Sequence, residues 1–147
     1  VFVSKDFVSI KYKLKSAVSF KESDSSSSSD SGNGSMVSYA MQFLGNRYVW
    51  GGTSLTNGTD CSGFTMGIYR HFGISIPRTS AAQASASRSV KSSEVRPGDL
   101  FFYGSGHVSH VAMYIGGGKI IHASNARDGI KISNAYYRKP LKIGRFS

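Results

Sequence analysis

Hydrophobic positions fall into three zones along the chain. Residues 1–22 alternate loosely, with Val1, Val3, Phe7, Ile10, Tyr12 and Leu14 set among five lysines, which predicts a strand or two. Residues 23–35, SDSSSSSDSGNGS, carry no large apolar side chain and read as a flexible linker. A coil of that length separates its ends by about 20 Å. From Met36 onward the spacing becomes that of a folded domain. Ser35 can cap a helix bearing Met36, Val37, Ala40, Met41 and Leu44, stopped by Gly45. RYVWGG follows as a short extended piece. Asp60 then precedes Phe64, Ile68 and Phe72 at four-residue spacing, closed by Gly73, which predicts an amphipathic helix with an Asp cap and a Gly stop.

The second half changes period. Pro77 and RTSAAQASAS predict a loop entering a short helix, and VRPGDLFFY a turn feeding a strand. HVAMYI and KIIHAS, joined by Gly116–Gly118, predict a hairpin, and GIKISNAYY another strand. Helices first and antiparallel strands later predict an α+β fold for residues 36–147.

Charge adds a partner class. The chain has 147 residues and a net charge of +10, with 13 of the 18 basic side chains and only Asp60, Glu94, Asp99 and Asp128 in residues 36–147. Such a field favours polyanions and says nothing of fold. The cations are scattered (Arg47, Arg70, Arg88, Lys131, Arg138, Lys142, Arg145) and form no nucleic-acid motif. No apolar run reaches the roughly 18 residues that a bilayer span requires. A Val start without a signal peptide reads as a fragment or mature piece.

Cys61 is the single cysteine. Most free cysteines are small buried hydrophobes, but this one opens a capped helix. Orphan N–H groups and the helix dipole there are expected to lower the thiol's pKa. A nucleophilic thiolate also needs a base, and the chain offers His71, His107, His110 and His122. With Ile115 paired to Lys119 and Met113 to Ile121, alternation puts His110, Ala112, Tyr114 and His122 on one face of the hairpin. His110 and His122 are then diagonal neighbours, about 7–8 Å apart at the backbone, so their imidazoles can touch. Val111, Met113, Ile115 and Ile121 form the core side, and the histidine face is expected to look toward the start of the Cys61 helix. His71 sits near a helix end and is given no catalytic role. A zinc site of Cys61, His107, His110 and His122 has a legal ligand count, but residues 107 and 110 point to opposite faces of a strand.

RYVWGG, TDCSGF, GISIPRTSAAQ, RPGDLFFY, HVAMYIGGGKIIHAS and GIKIS, in that order, resemble the NlpC-type cysteine peptidases of bacterial cell walls, a rearranged branch of the papain-like fold. The resemblance covers residues 36–147. It implies a secreted wall hydrolase that cleaves peptidoglycan stem peptides between D-γ-glutamyl and a diamino acid and needs no metal or cofactor; a monomer is the default expectation. Cys61 resembles the nucleophile, His110 the base, His122 the orienting third residue and Tyr48 the tyrosine assisting at the oxyanion. Asp60, Ser62 and Arg78 match positions lining the substrate cleft, with Trp50 at its rim. His107 is left as a rim residue. VFVSKDFVSI resembles the last strands of a bacterial Src-homology-3-like wall-binding domain, which makes residues 1–22 a remnant of an upstream module. An amidase or acyltransferase on another amide or ester is the alternative in the same fold. The basic field fits anionic wall polymers rather than nucleic acid.

Overall fold

The computed structural model describes residues 34–146; the remnant expected at 1–22 and most of the linker expected at 23–35 lie outside the described residues. Helix α1 spans Gly34–Met41 and buries Met36 and Ala40, one turn apart. It starts one residue before the predicted cap, so Ser35 lies inside its first turn. It also ends sooner than its apolar stripe suggests. Residues 42–45 tighten into turns in which Gln42, Phe43 and Leu44 each donate to the carbonyl three residues back, at 3.2, 3.1 and 3.3 Å. That tightening brings Phe43 into the core and leaves Leu44 39% exposed.

Two short strands, β1 (Thr53–Ser54) and β2 (Gly58–Thr59), pair antiparallel and lead into α2 (Cys61–His71). Phe64, Ile68 and Tyr69 of α2 are buried, whereas Phe72 caps its C-terminus and stays part-exposed. Gly73 follows at φ 81°, the left-handed conformation that ends a helix. Helix α3 (Ser80–Ala86) is capped by Thr79, whose side chain accepts from the Ala82 N–H at 3.2 Å.

The remaining strands are β3 (Arg88–Ser89), β4 (Leu100–Tyr103), β5 (His110–Gly116), β6 (Lys119–Ala123), β7 (Ile130–Asn134) and β8 (Lys142–Arg145). They form one antiparallel sheet in the order β3-β8-β4-β5-β6-β7. Strand β8 had no sequence expectation, yet it lies between β3 and β4, with Gly144 opposite Leu100. The Arg145 guanidinium anchors it by bonding both Asp99 carboxylate oxygens, at 2.7 and 2.8 Å.

Both faces of the sheet are covered. On one, Leu100, Phe102, Val111, Met113, Ile121, Ala123 and Ile130 pack with Met36, Ala40, Phe43, Phe64, Ile68 and Tyr69. On the other, Phe101, Tyr103, Ala112, Ile120, Ala135 and Ile143 form a second buried cluster, and the Tyr103 hydroxyl donates to the Ala135 carbonyl at 2.6 Å. The unbroken LFFY run of β4 reflects this double burial, since a strand covered on both faces does not alternate. The hairpin departs from the predicted three-residue loop. Met113 opposes Ile121 as expected, but Gly116 pairs with Lys119, so Ile115 is bulged out of register. Gly117 and Gly118 alone make the turn, at φ 61° and 76°, the left-handed pair that a two-residue hairpin turn demands. Among the described residues no helix is long and apolar enough to cross a membrane.

Candidate active site

The start of α2 is built around one carboxylate. Asp60 Oδ1 accepts from the Gly63 N–H at 2.8 Å, capping the helix, and Oδ2 accepts from the Gly51 N–H at 3.2 Å. Arg78, eighteen positions on in sequence, clamps the same group: Nη1 donates to Oδ1 at 3.1 Å and Nη2 to Oδ2 at 3.0 Å. Burial pushes the carboxyl up, but Arg78 and the two backbone donors outweigh it and hold Asp60 below its ordinary value. Arg78 Nη1 also donates to the Ser62 hydroxyl at 2.8 Å. Gly63 must lack a side chain, because a Cβ there would stand 2.4 Å from the Gly52 carbonyl oxygen. Gly52 of WGG and Gly63 of CSG therefore interlock the loop with the helix start.

A cleft of about 560 Å³ opens over this corner, lined by Tyr48, Trp50, Gly51, Asp60, Cys61, Ser62, Arg78, Thr79, Ser80, Ser109, His110 and Ser124. Seven of the sequence-derived candidates thus share one wall-to-wall space. His122, the eighth, lies behind His110 and is 2% exposed. His110 is the first residue of β5, opposite Tyr103. Its Nε2 meets His122 Nδ1 at 2.7 Å, and His122 Nε2 meets the Ser133 hydroxyl at 2.9 Å. His107 is on an exposed loop and does not line the cleft, and His71 stacks on Tyr39 with ring centroids 3.8 Å apart. Trp50, 86% exposed, stands at the rim.

One geometric expectation is corrected. The histidine face of the hairpin does not look at the Cys61 helix; that face carries the second buried cluster, while Cys61 packs with the helix-side core. Cys61 and His110 line one cleft even so, because His110 begins its strand at the sheet's end. The backbone of Val111, the next residue after His110, acts on the sulfur's charge.

The electrostatics correct a second. Burial pushes the Cys61 thiol up, the Asp60 charge adds to this, and the backbone groups of Val111, Ser62 and Cys61 oppose it without prevailing. The cleft wall removes more solvation than the helix start returns. Burial also pulls His110 down to about 4, with Arg138 adding to it, and His122 down to about 3, with His110 and Lys131 adding to it. The resting pair at neutral pH is therefore a thiol and an uncharged imidazole. Burial, with the charges of Cys61 and Asp60, keeps the Tyr48 hydroxyl protonated as a donor.

These shifts fix a stability profile. An unfolded chain protonates both histidines near 6.5, whereas the folded chain resists until about 4 and about 3. The unfolded state thus binds more protons below pH 6.5, and stability present above that value is lost as pH falls through the window. We expect Tm to drop by about 10 °C between pH 7 and pH 5, read by circular dichroism. A flat Tm across that interval would mean that the folded histidines take up protons as readily as the unfolded ones.

Thr79, Ser80, Ser109 and Ser124 in the lining, and Ser133 behind it, had no sequence assignment. Ser133 was within reach of strand alternation, since Ile130 and Ile132 of GIKIS must turn one way and Lys131 and Ser133 the other. Among the described residues no three His, Cys, Asp or Glu side chains converge as a metal site.

The fold is α+β of papain-like type, and it brings a cysteine at a helix start and a histidine at a strand start to one cleft. The chain belongs to the NlpC/P60 family, whose model matches residues 45–143. It is 43% identical over 103 residues to a probable endopeptidase p60 of Listeria innocua, a match covering 69% of this chain and 21% of that protein. It is 44% identical over 101 residues to a γ-D-glutamyl-L-lysine dipeptidyl-peptidase of Bacillus cereus, covering 66% of this chain and 30% of that protein. Among solved structures it resembles the NlpC/p60 domain of the peptidoglycan hydrolase SagA, at 36% identity and a TM-score of 0.70, over 78% of this chain and 99% of that domain. The chain therefore spans less than a third of the length of these curated relatives.

Proposed function

We propose that this domain hydrolyses amide bonds in peptidoglycan stem peptides, at the link between D-γ-glutamyl and a diamino acid. The observation that carries the reading is the shared cleft, in which Cys61 and His110 stand together with His122 behind the base. The names of the relatives supply the substrate class. His110 takes the thiol proton as Cys61 Sγ attacks the carbonyl carbon, so charge appears only during reaction. The oxyanion of the tetrahedral intermediate is received by the Tyr48 hydroxyl and the first-turn N–H groups of α2. His110 then gives its proton to the leaving amine, and the C–N bond breaks to leave a thioester. Water, deprotonated by the same imidazole, attacks the thioester to release the carboxylate and restore the thiol.

Ser62, Arg78 and Trp50 are proposed to contact substrate, with Asp60 lining the cleft behind them. Asp60 is fully engaged by Arg78 and two backbone N–H groups, so it shapes the cleft through Arg78 and Ser62 rather than offering a free carboxylate. The same proposal takes in a secreted, monomeric catalytic domain at 36–147, a linker at 23–35 and a remnant of an upstream module at 1–22. Its excess of basic side chains suits anionic wall polymers, and its chemistry draws on no cofactor.

The test is digestion of purified peptidoglycan and of soluble muropeptides, with products identified by mass spectrometry. New amino ends on the diamino acid, with no change at other bonds, are the expected result. A folded protein whose Cys61 reacts with iodoacetamide but which releases no such ends would sink the substrate assignment and favour another amide or ester.

A further inference from the structure

The hydrogen-bond chain behind the cleft runs one residue beyond the Cys-His-His arrangement. His122 is spoken for at both ring nitrogens, by His110 at 2.7 Å and by the Ser133 hydroxyl at 2.9 Å. Ser133 lies opposite Ile120, diagonal to His122, on the same face of the sheet. The protons in such a chain cannot be placed independently. For His110 to accept the thiol proton at Nδ1, its single proton must sit on Nε2. That proton is then donated to His122 Nδ1, which must be bare, so His122 carries its own proton on Nε2. Ser133 Oγ is the acceptor of that proton. With the serine donating instead, every proton shifts the other way and His110 presents a protonated Nδ1 to the sulfur, where it can take nothing.

We infer that Ser133 is a positioning residue whose hydroxyl oxygen, by accepting from His122 Nε2–H, sets the tautomers of both imidazoles and so keeps His110 competent as a base. The inference rests on the proposed Cys61–His110 chemistry, though not on which bond is cut. Tautomer control by a distant acceptor also explains why the pair can work while uncharged. Other groups facing His122 are the Tyr137 ring, with centroids 6.0 Å away, and the charges of Lys131 and Asp128; Arg138 faces His110. None of them holds the second nitrogen of His122, whereas Ser133 does.

Two readouts separate this role from mere packing. Nitrogen-15 NMR of histidine-labelled protein at pH 7 is expected to show both His110 and His122 as Nε2–H tautomers. In Ser133→Ala the Nδ1–H form of His122 is expected to rise. The second readout is alkylation of Cys61 by iodoacetamide, which needs the base but no wall substrate. Ser133→Ala is expected to slow it about tenfold at pH 7, the scale of one lost hydrogen bond, and to lower kcat on muropeptides with KM within about twofold. Ser133→Thr, which keeps the oxygen, is expected to restore both. Wild-type His122 found as Nδ1–H, or an alkylation rate unchanged in Ser133→Ala, overturns the inference. Should Ser133→Ala fail to fold, the wild-type tautomers decide alone. Normal tautomers and alkylation with no wall cleavage would instead leave Ser133 in place and remove the substrate assignment.

Discussion

Cys61→Ala is expected to remove muropeptide cleavage by about 10⁴-fold or more, the scale seen when a covalent nucleophile is deleted from a hydrolase, with the fold intact. The hydroxyl next to it in sequence cannot take its place. The neighbouring Ser62 hydroxyl accepts from Arg78 at 2.8 Å and lies 3.4 Å from Asp60 Oδ1, so it is committed to holding the corner together. Cys61→Ser is expected to be equally inactive, because an alkoxide is far harder to reach than a thiolate in a cleft where burial already pushes the thiol up. Stability should hardly change, since the helix start depends on Asp60, Gly63 and Arg78 rather than on the sulfur. Digestion with mass spectrometry, paired with circular dichroism, checks both halves. Cleavage by folded Cys61→Ala within tenfold of wild type would remove covalent catalysis from this domain.

How far the site could be read in advance depended on whether its partners lie within one local pattern. The His110–His122 contact follows from hairpin alternation, which survives even though the loop is one residue shorter and Ile115 is bulged. Asp60 as cap follows from its place before an apolar stripe. The Arg78 clamp does not, because it joins a helix start to a loop eighteen positions away by a meeting that only the packing of α3 on α2 arranges. Strand β8 is hidden for the same reason: KIGR is short, holds a glycine, and becomes a strand only by pairing with β4 and β3. The thiol's shift runs opposite to the expected direction because helix-start donors are visible in sequence and the desolvating cleft wall is not. The LFFY run of β4 is apolar at every position because both its faces are buried, yet the expectation drawn from it is a strand alone, with the histidine face left uncovered.

The second large effect belongs to the base. His110→Ala is expected to cost about 10³-fold or more in kcat/KM, since the thiol above its ordinary value then has no acceptor for its proton. Replacements at His122 should be graded, because His122 touches His110 and not the substrate. His122→Ala is expected to cost about 10²-fold, leaving the Nε2–H of His110 without its partner and opening a hole between Ala112 and Ser133. His122→Asn restores an acceptor, as an amide oxygen can take the place of Nδ1 at a site now 2.7 Å from His110. It is expected to fall within about tenfold of wild type. The pH profile gives an independent reading of the same arrangement. Because burial and Arg138 hold His110 neutral down to about 4, the acid limb of kcat/KM should fall well below the ordinary histidine value rather than at it. In His122→Ala, water entering behind the ring is expected to raise the His110 value and move that limb up in pH. If His122→Asn proved as slow as His122→Ala, or the limb stayed fixed in both, His122 would be filling space behind the base rather than orienting it.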